Sequence, residues 1–68
     1  MQSCWYIVIR SRGAWWVDCE GTQTGPYPDV AVATDAAVIR ARLHGDRAKR
    51  LQVMVPGEGR RFDVVWER

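Results

Sequence analysis

The first twenty residues constrain the fold of this chain most strongly. Two strand-like segments, residues 4–9 and 14–20, flank Ser11-Arg12-Gly13 and carry three of the chain's four tryptophans. Aromatic and β-branched side chains favour extended backbone, and a short glycine-containing loop between two such segments is typical of a β-hairpin. We predict a three-residue loop in which Gly13 takes a left-handed conformation and forms a β-bulge.

The pairing register of this hairpin decides which side chains face the core, because a shift by one residue turns every side chain over. With the bulge at Gly13 each inward pair is apolar; the pairs are Ile9 with Trp15, Ile7 with Val17, and Trp5 with Cys19. We therefore expect the odd-numbered residues to face the core. Cys4 is then a partly exposed thiol and Cys19 a small core residue. Because the two cysteines lie on opposite faces in this register, we expect no disulfide between them.

The middle of the chain predicts one helix. Residues 21–29, which hold two glycines and two prolines, are expected to form a loop, and residues 30–33 can be read as a short edge strand. Thr34 or Asp35 can cap a helix that runs to about His44, because either side-chain oxygen can accept from a free N–H group of the first turn.

A second hairpin is expected near the C-terminus, where residues 51–55 and 62–66 pair across Pro56-Gly57-Glu58-Gly59. Together the elements predict one α+β domain over residues 1–68, in the order β-β-(β)-α-β-β. We expect an antiparallel β-sheet with one α-helix packed on one face. The predicted core contains Trp5, Ile7, Ile9, Trp15, Val17, Ile39, Leu43, Val53, Val55, Phe62, Val64 and Trp66.

Length and composition narrow the class of protein. Sixty-eight residues are near the lower end of what folds without a disulfide, a metal or association with another copy. A hydrophobic fraction of 47% argues against disorder, and a net charge of +2 is weaker than a dedicated nucleic-acid binder usually carries. No apolar run approaches the roughly 20 residues of a membrane span, and the N-terminus does not resemble a secretory signal. We expect a cytoplasmic protein with reduced thiols that does not bind a membrane.

Few residues are candidates for a catalytic or metal-binding role. His44 is the only histidine, and its predicted place at a helix C-terminus is explained by the helix dipole. A catalytic or metal site would need Cys4, Cys19 and His44 to converge, and their predicted faces and spacing do not bring them together. We therefore expect no enzymatic activity, no metal and no cofactor.

An outward aromatic face is the feature that folding alone does not explain. In the predicted register Tyr6, Val8 and Trp16 point away from the core, and Met54 extends the same face on the second hairpin. A contiguous exposed apolar area usually marks an interaction surface, and for so small a chain the simplest partner is a second copy. We expect a homodimer formed through this face.

Two other kinds of binding module stay open. Single-stranded nucleic acid could stack on the outward aromatics while surrounding cations contact phosphates; the candidate cations are Arg10, Arg12, Arg47, Lys49, Arg50, Arg60 and Arg61. Against it, Asp18 and Glu20 lie on the same predicted face. A proline-rich peptide is the other alternative. Gly25-Pro26-Tyr27-Pro28, with Trp16 upstream, resembles the Gly-Pro-Phe core of GYF modules, which bind such peptides.

Residues spread over most of the chain suggest a resemblance to a known family. Trp16-Val17, Thr34, Ala37, Ala41-Arg42 and Gly59-Arg60 match positions of a family of short bacterial proteins, the domain of unknown function number 2188, which the chain resembles over most of its length. The resemblance implies a strand–helix–strand order and no particular activity, substrate or site.

Overall fold

The computed structural model describes residues 3–45 and 47–68. Its elements, in chain order, are β1 (Ser3–Ser11), β2 (Ala14–Cys19), β3 (Thr22–Tyr27), α1 (Val30–His44), β4 (Arg50–Pro56) and β5 (Phe62–Glu67). The five strands form one sheet in the order β3-β2-β1-β4-β5, and α1 packs on one of its faces. The predicted α+β class with one helix is confirmed, and the predicted purely antiparallel sheet is wrong.

The difference lies in how β4 joins the sheet. β1 and β4 are parallel, whereas every other pair of neighbours is antiparallel. The chain leaves β3 at one end of the sheet, and α1 carries it back to the end where β1 begins. A strand that follows such a crossover runs parallel to the strand it joins. As a result, the tips of the β1–β2 and β4–β5 hairpins lie at one end of the sheet, here called the hairpin end.

The helix begins earlier than predicted. Asp29 has extended backbone (φ −152°), and its carboxylate accepts from the Val32 N–H at 2.9 Å, so it is the N-cap instead of Thr34 or Asp35. Residues 30–33, read from sequence as an edge strand, form the first turn of α1. The expected loop at residues 21–29 is also mostly a strand, β3, which pairs with β2.

The first hairpin has a tighter turn than predicted, and this changes its register. Arg12 and Gly13 both have positive φ, 54° and 75°, and Ser11 pairs directly with Ala14, so the loop has two residues instead of three. Such a turn, with both central φ values positive, suits the right-handed twist of a hairpin, but a non-glycine residue at its first position is uncommon. The register therefore slips by one residue, and the even-numbered side chains of β1 face α1.

The core lies between α1 and this even-numbered face. Its buried residues are Cys4, Tyr6, Val8, Val17, Ala33, Ala37, Ala41, Leu51 and Val53. Of the predicted core, Val17 and Val53 are buried, and Trp15, Val55 and Trp66 are partly buried against the core. The prediction is wrong for two further groups. Ile7 and Ile9 are half-buried on the sheet face away from α1, and five residues are exposed: Trp5, Ile39, Leu43, Phe62 and Val64.

The helix contacts the sheet through its smallest side chains. Ala33, Ala37 and Ala41 recur every four residues and are fully buried, which allows the helix backbone to approach the strands closely. The larger side chains of Val32, Ile39 and Leu43 therefore point away from the sheet. The prediction that Ile39 and Leu43 belong to the core is wrong because the alanine stripe gives closer packing.

Candidate interaction surface

The face of the sheet opposite α1 is largely apolar. Cross-strand pairing places Ile7 beside Met54 and Met54 beside Val64, so three neighbouring strands contribute one apolar row across the face. Ile9 pairs with Trp16 nearer the hairpin end. We define the open-face patch as Trp5, Ile7, Ile9, Trp16, Met54, Phe62 and Val64. Trp5 and Phe62 are each about half exposed, at 51% and 48%.

Polar side chains border this patch beside its middle row on β2 and at the end of the sheet away from the hairpin tips. Asp18 pairs with Ile7 at one margin and accepts from the Gly21 N–H at 3.1 Å. At the other margin the Glu67 carboxylate accepts from the Gln52 amide at 3.1 Å and from the Arg50 guanidinium at 3.2 Å. The Gln52 hydrogen bond and the Arg50 charge lower the pKa of Glu67, so this carboxylate is ionised at neutral pH. An apolar centre with a polar rim is the usual anatomy of a protein interface.

Trp16 is held in place by the backbone around it. Its indole N–H donates to the Ser11 carbonyl at 3.0 Å, and its ring lies against Gly25 on β3. Gly25 has φ +140°, and a Cβ there would come within 3.0 Å of the Trp16 ring, so this position suits glycine on two counts. The Arg12 guanidinium lies 5.8 Å from the ring centre. Trp16 is therefore a fixed element of the patch.

The predicted surface is divided between the two faces of the sheet. Trp16 and Met54 lie on the open face, as required of surface residues. Tyr6 and Val8 do not, because the two-residue turn places them under α1, where Val8 is fully buried and Tyr6 is 5% exposed. The open face carries Trp5, Ile7 and Ile9 in their place. Sequence reasoning could not separate these two sets, since both faces of β1 are apolar.

The helix presents a second, smaller apolar strip on the other side of the molecule. Val32, Ile39 and Leu43 lie along its outer side, and Leu43 is 72% exposed. Ile39 and Leu43 line a shallow depression together with Arg42. This strip is one side chain wide, whereas the open-face patch extends over four strands.

The two cysteines are in contact, contrary to the prediction. Cys4 and Cys19 both point towards the helix-covered side, and their Sγ atoms are 3.8 Å apart with neither in a disulfide. Their expected exposures are also reversed, since Cys4 is buried and Cys19 is partly accessible. Burial, together with the hydrogen bond to Cys19, raises the pKa of the Cys4 thiol to about 11. Burial and the neighbouring Cys19 raise the pKa of Tyr6 to about 12.

The candidate cations for nucleic-acid contact fall into two groups at opposite ends of the sheet. Arg10, Arg12, Arg60 and Arg61 lie at or near the hairpin end, where the Arg10 guanidinium is 5.9 Å from the Trp15 ring and Arg61 pairs with Asp63 at 3.6 Å. Arg47, Lys49 and Arg50 line an open depression at the other end, shared with Glu67 and Arg68. There Lys49 pairs with Glu20 at 3.7 Å. The structure therefore brings together each half of the predicted set, but not the whole set.

The aromatic residues of the peptide-binding alternative are also separated. Trp16 lies on the open face, whereas Tyr27 pairs with Trp15 and packs against the core on the helix side. The Tyr27 hydroxyl donates to Thr24 Oγ1 at 3.3 Å. These two rings therefore do not share one groove.

The candidate residues for catalysis or metal binding lie outside the open-face patch. His44 ends α1 and is exposed, while Cys4 is buried beside Cys19. Within residues 3–45 and 47–68, no group of three or more His, Cys, Asp or Glu side chains is arranged to hold a metal ion. Among the described residues, no helix combines the length and the apolar character needed to cross a membrane. No family model, curated protein or solved structure matches the chain, so its resemblance to the domain of unknown function number 2188 stays a prediction.

Proposed function

We propose that this chain is a non-enzymatic interaction module that binds a second copy of itself through the open-face patch. The observation that carries the proposal is the central strand β1, which is apolar on both faces. Cys4, Tyr6 and Val8 are covered by the helix, while Trp5, Ile7 and Ile9 form the other face. Strands that are apolar on both sides are typical of sheets covered on both sides. The single helix α1 covers only one face of this sheet.

The size of the patch agrees with a weak dimer. Four strands about 4.8 Å apart and about 20 Å long give the patch a projected area of about 400 Å². Two such patches stacked together bury about 800 Å², and the relief of the side chains adds to this value. That area is close to the lower limit for specific interfaces, so we expect micromolar affinity. A second copy offers the same apolar centre and polar rim, as a two-fold interface requires.

The centre of the patch favours a protein partner over nucleic acid. Ile7, Met54 and Val64 form its middle row, and aliphatic side chains pack well against other aliphatic side chains but give bases no ring to stack on. Asp18 and Glu67 stand at its margin and repel phosphate. The contact between Arg12 and Trp16 is the feature that favours nucleic acid, and it lies at one corner of the patch.

Sedimentation equilibrium from low to high micromolar concentration tests self-association directly. We expect the wild-type mass to rise towards that of a dimer, and Trp5→Lys to remain a monomer because it places a charge on the patch. Leu43→Lys is the matched control, since it introduces the same charge at an exposed apolar position on the opposite side. A wild-type monomer at high micromolar concentration overturns the proposal. Loss of the dimer in Leu43→Lys with retention in Trp5→Lys overturns the choice of face.

Fluorescence titration with a single-stranded oligonucleotide distinguishes the nucleic-acid alternative. That alternative requires affinity that falls steeply with salt and a loss of about 1–3 kcal/mol in Trp16→Ala. Our proposal expects no change in tryptophan emission on adding the oligonucleotide at physiological salt.

A further inference from the structure

We propose that Cys4 and Cys19 form a two-thiol oxidation site that reacts with hydroperoxides to give a reversible disulfide between β1 and β2. The observation behind this proposal is the position of the two thiols. Two free thiols from neighbouring strands point to the same side of the sheet, with their sulfurs 3.8 Å apart. The inference does not depend on self-association, because these thiols lie on the helix-covered side of the sheet and the open-face patch on the other.

Closing the bond requires a small movement. A disulfide has an S–S distance of about 2.05 Å, so the sulfurs approach by a little under 2 Å. Tyr6 is the residue directly opposite Cys19, and Cys4 stands two residues from it on the same face. Cys4 is the second residue of β1, close to the start of the described chain, and Cys19 is the last residue of β2. Both ends of the bridge are therefore at strand termini, where the backbone adjusts more readily than in the middle of a sheet.

The unequal burial of the two thiols assigns their roles. Cys19 is partly accessible, so it meets the oxidant first, whereas Cys4 is 7% exposed. The thiolate of Cys19 attacks one peroxide oxygen, the O–O bond breaks, and Cys19 becomes a sulfenic acid with release of water. The Cys4 sulfur then attacks the Cys19 sulfur and displaces hydroxide, which leaves as a second water with the proton lost by Cys4. Two thiols and one hydrogen peroxide thus give one disulfide and two waters.

The surroundings of Cys4 support its role as the second thiol. Its pKa is raised to about 11 by burial, with contributions from Cys19 and from the charge of Glu20, so at neutral pH it remains a protonated thiol that reacts slowly with peroxide. The contact with Cys19 places it within reach of the sulfenic acid once that has formed. Intramolecular condensation then competes with further oxidation of Cys19.

The bond would stabilise the folded state. It links residues 15 apart and so restricts the unfolded chain around the first hairpin. We expect the oxidised protein to unfold at a temperature higher by roughly 5 °C or more, and a thiol reductant to restore the original value. The disulfide also removes the Cys19 thiol, which contributes to the raised pKa of Tyr6, so the tyrosine is expected to ionise at lower pH after oxidation.

Intact-mass and thiol measurements on the full chain test the site. After hydrogen peroxide in the presence of a metal chelator, the wild type should lose two hydrogen masses and both alkylatable thiols, and a non-reducing digest should join the peptides of Cys4 and Cys19. In Cys4→Ser the sulfenic acid on Cys19 should accumulate and be trapped by dimedone. In Cys19→Ser the remaining thiol should disappear at least about tenfold more slowly. Cys4→Ala replaces Cys4→Ser if the serine variant fails to fold.

Three results would overturn the inference. The first is a disulfide that forms mainly between molecules, seen as a non-reducing dimer band. The second is oxidation of the wild type without loss of two hydrogen masses. The third is equal reactivity of the single thiols in the two serine variants, which would contradict the assigned roles. Thermal unfolding of each reduced variant checks that the comparison is made between folded proteins.

Discussion

Replacing Val8 by alanine tests which face of the first hairpin forms the core. Val8 is fully buried beneath α1, whereas Val64 lies on the open face at 45% exposure, so the same substitution at Val64 is a matched control. The alternative register would exchange the environments of the two faces of β1. The comparison therefore reports on the register itself and not only on one contact.

The expected cost of Val8→Ala follows from burial. Removing two methyl-sized groups forfeits about 1.6 kcal/mol of transfer free energy, and the cavity left beneath the helix adds about 1 kcal/mol. A domain of this size has a free energy of unfolding of about 3–10 kcal/mol, so a loss of about 2.5 kcal/mol is a large part of it. The midpoint of thermal unfolding should fall by about 10–20 °C. Val64→Ala should cost about 1 kcal/mol or less, because half of that side chain is already in water.

Urea and thermal unfolding followed by circular dichroism measure both variants. Dilute solution is needed, since association through the open face would add a concentration-dependent term for Val64. An equal or larger loss of stability in Val64→Ala than in Val8→Ala would refute the assignment of the core face. It would also remove the basis for the thiol contact, which depends on the same register.

Three further predictions concern the packing of α1 on the sheet, the N-cap of α1, and the ionisation of Cys4 and Tyr6. Ala37→Leu should lower the free energy of unfolding by about 1–3 kcal/mol, because Ala37 is fully buried against the sheet, whereas Ala36→Leu one position away should be tolerated. Asp29→Ala should cost about 0.5–2 kcal/mol by removing the N-cap acceptor, and Asp29→Asn should retain most of it; urea unfolding measures both pairs. Stability should change little between about pH 7 and pH 9 and then fall towards pH 12. The raised pKa values of Cys4 and Tyr6 make the folded state hold protons that the unfolded chain releases, at up to about 1.4 kcal/mol per pH unit for each group. A flat stability profile across that range would contradict the burial of both groups.

Sequence reasoning recovered the elements better than their arrangement. The two hairpins and the helix are encoded by local signals, namely aromatic and β-branched runs and glycine at the turns, whereas the N-cap Asp29 and the strand β3 were missed. Residues 51–55 and 62–66 are strands as predicted. The parallel pairing of β1 with β4 is not a local property, because it depends on where α1 returns the chain. No alternation within residues 50–56 distinguishes a parallel partner from an antiparallel one.

The error in the register has a specific cause. Arg12 adopts φ 54°, a conformation that is uncommon for arginine. The hairpin loop therefore has two residues instead of the predicted three. A glycine or asparagine at this position would have indicated the tight turn from sequence. Because residues 4–9 of β1 are apolar on both faces, their alternation could not correct the choice of face. The missed thiol contact and the misplacement of Tyr6 and Val8 all follow from this one turn.

The apolar residues on both faces of β1, which made the register prediction fail, also support the proposed function. Had β1 been polar on one side, alternation would have fixed the register, and the sheet would need no further cover. Instead either register leaves a complete apolar face without a helix: Trp5, Ile7 and Ile9 in the structure, or Tyr6 and Val8 in the alternative. One helix can cover only one face of a five-stranded sheet, so the turn at Arg12 decides which apolar residues the helix leaves uncovered. It does not decide whether an apolar face remains to be covered.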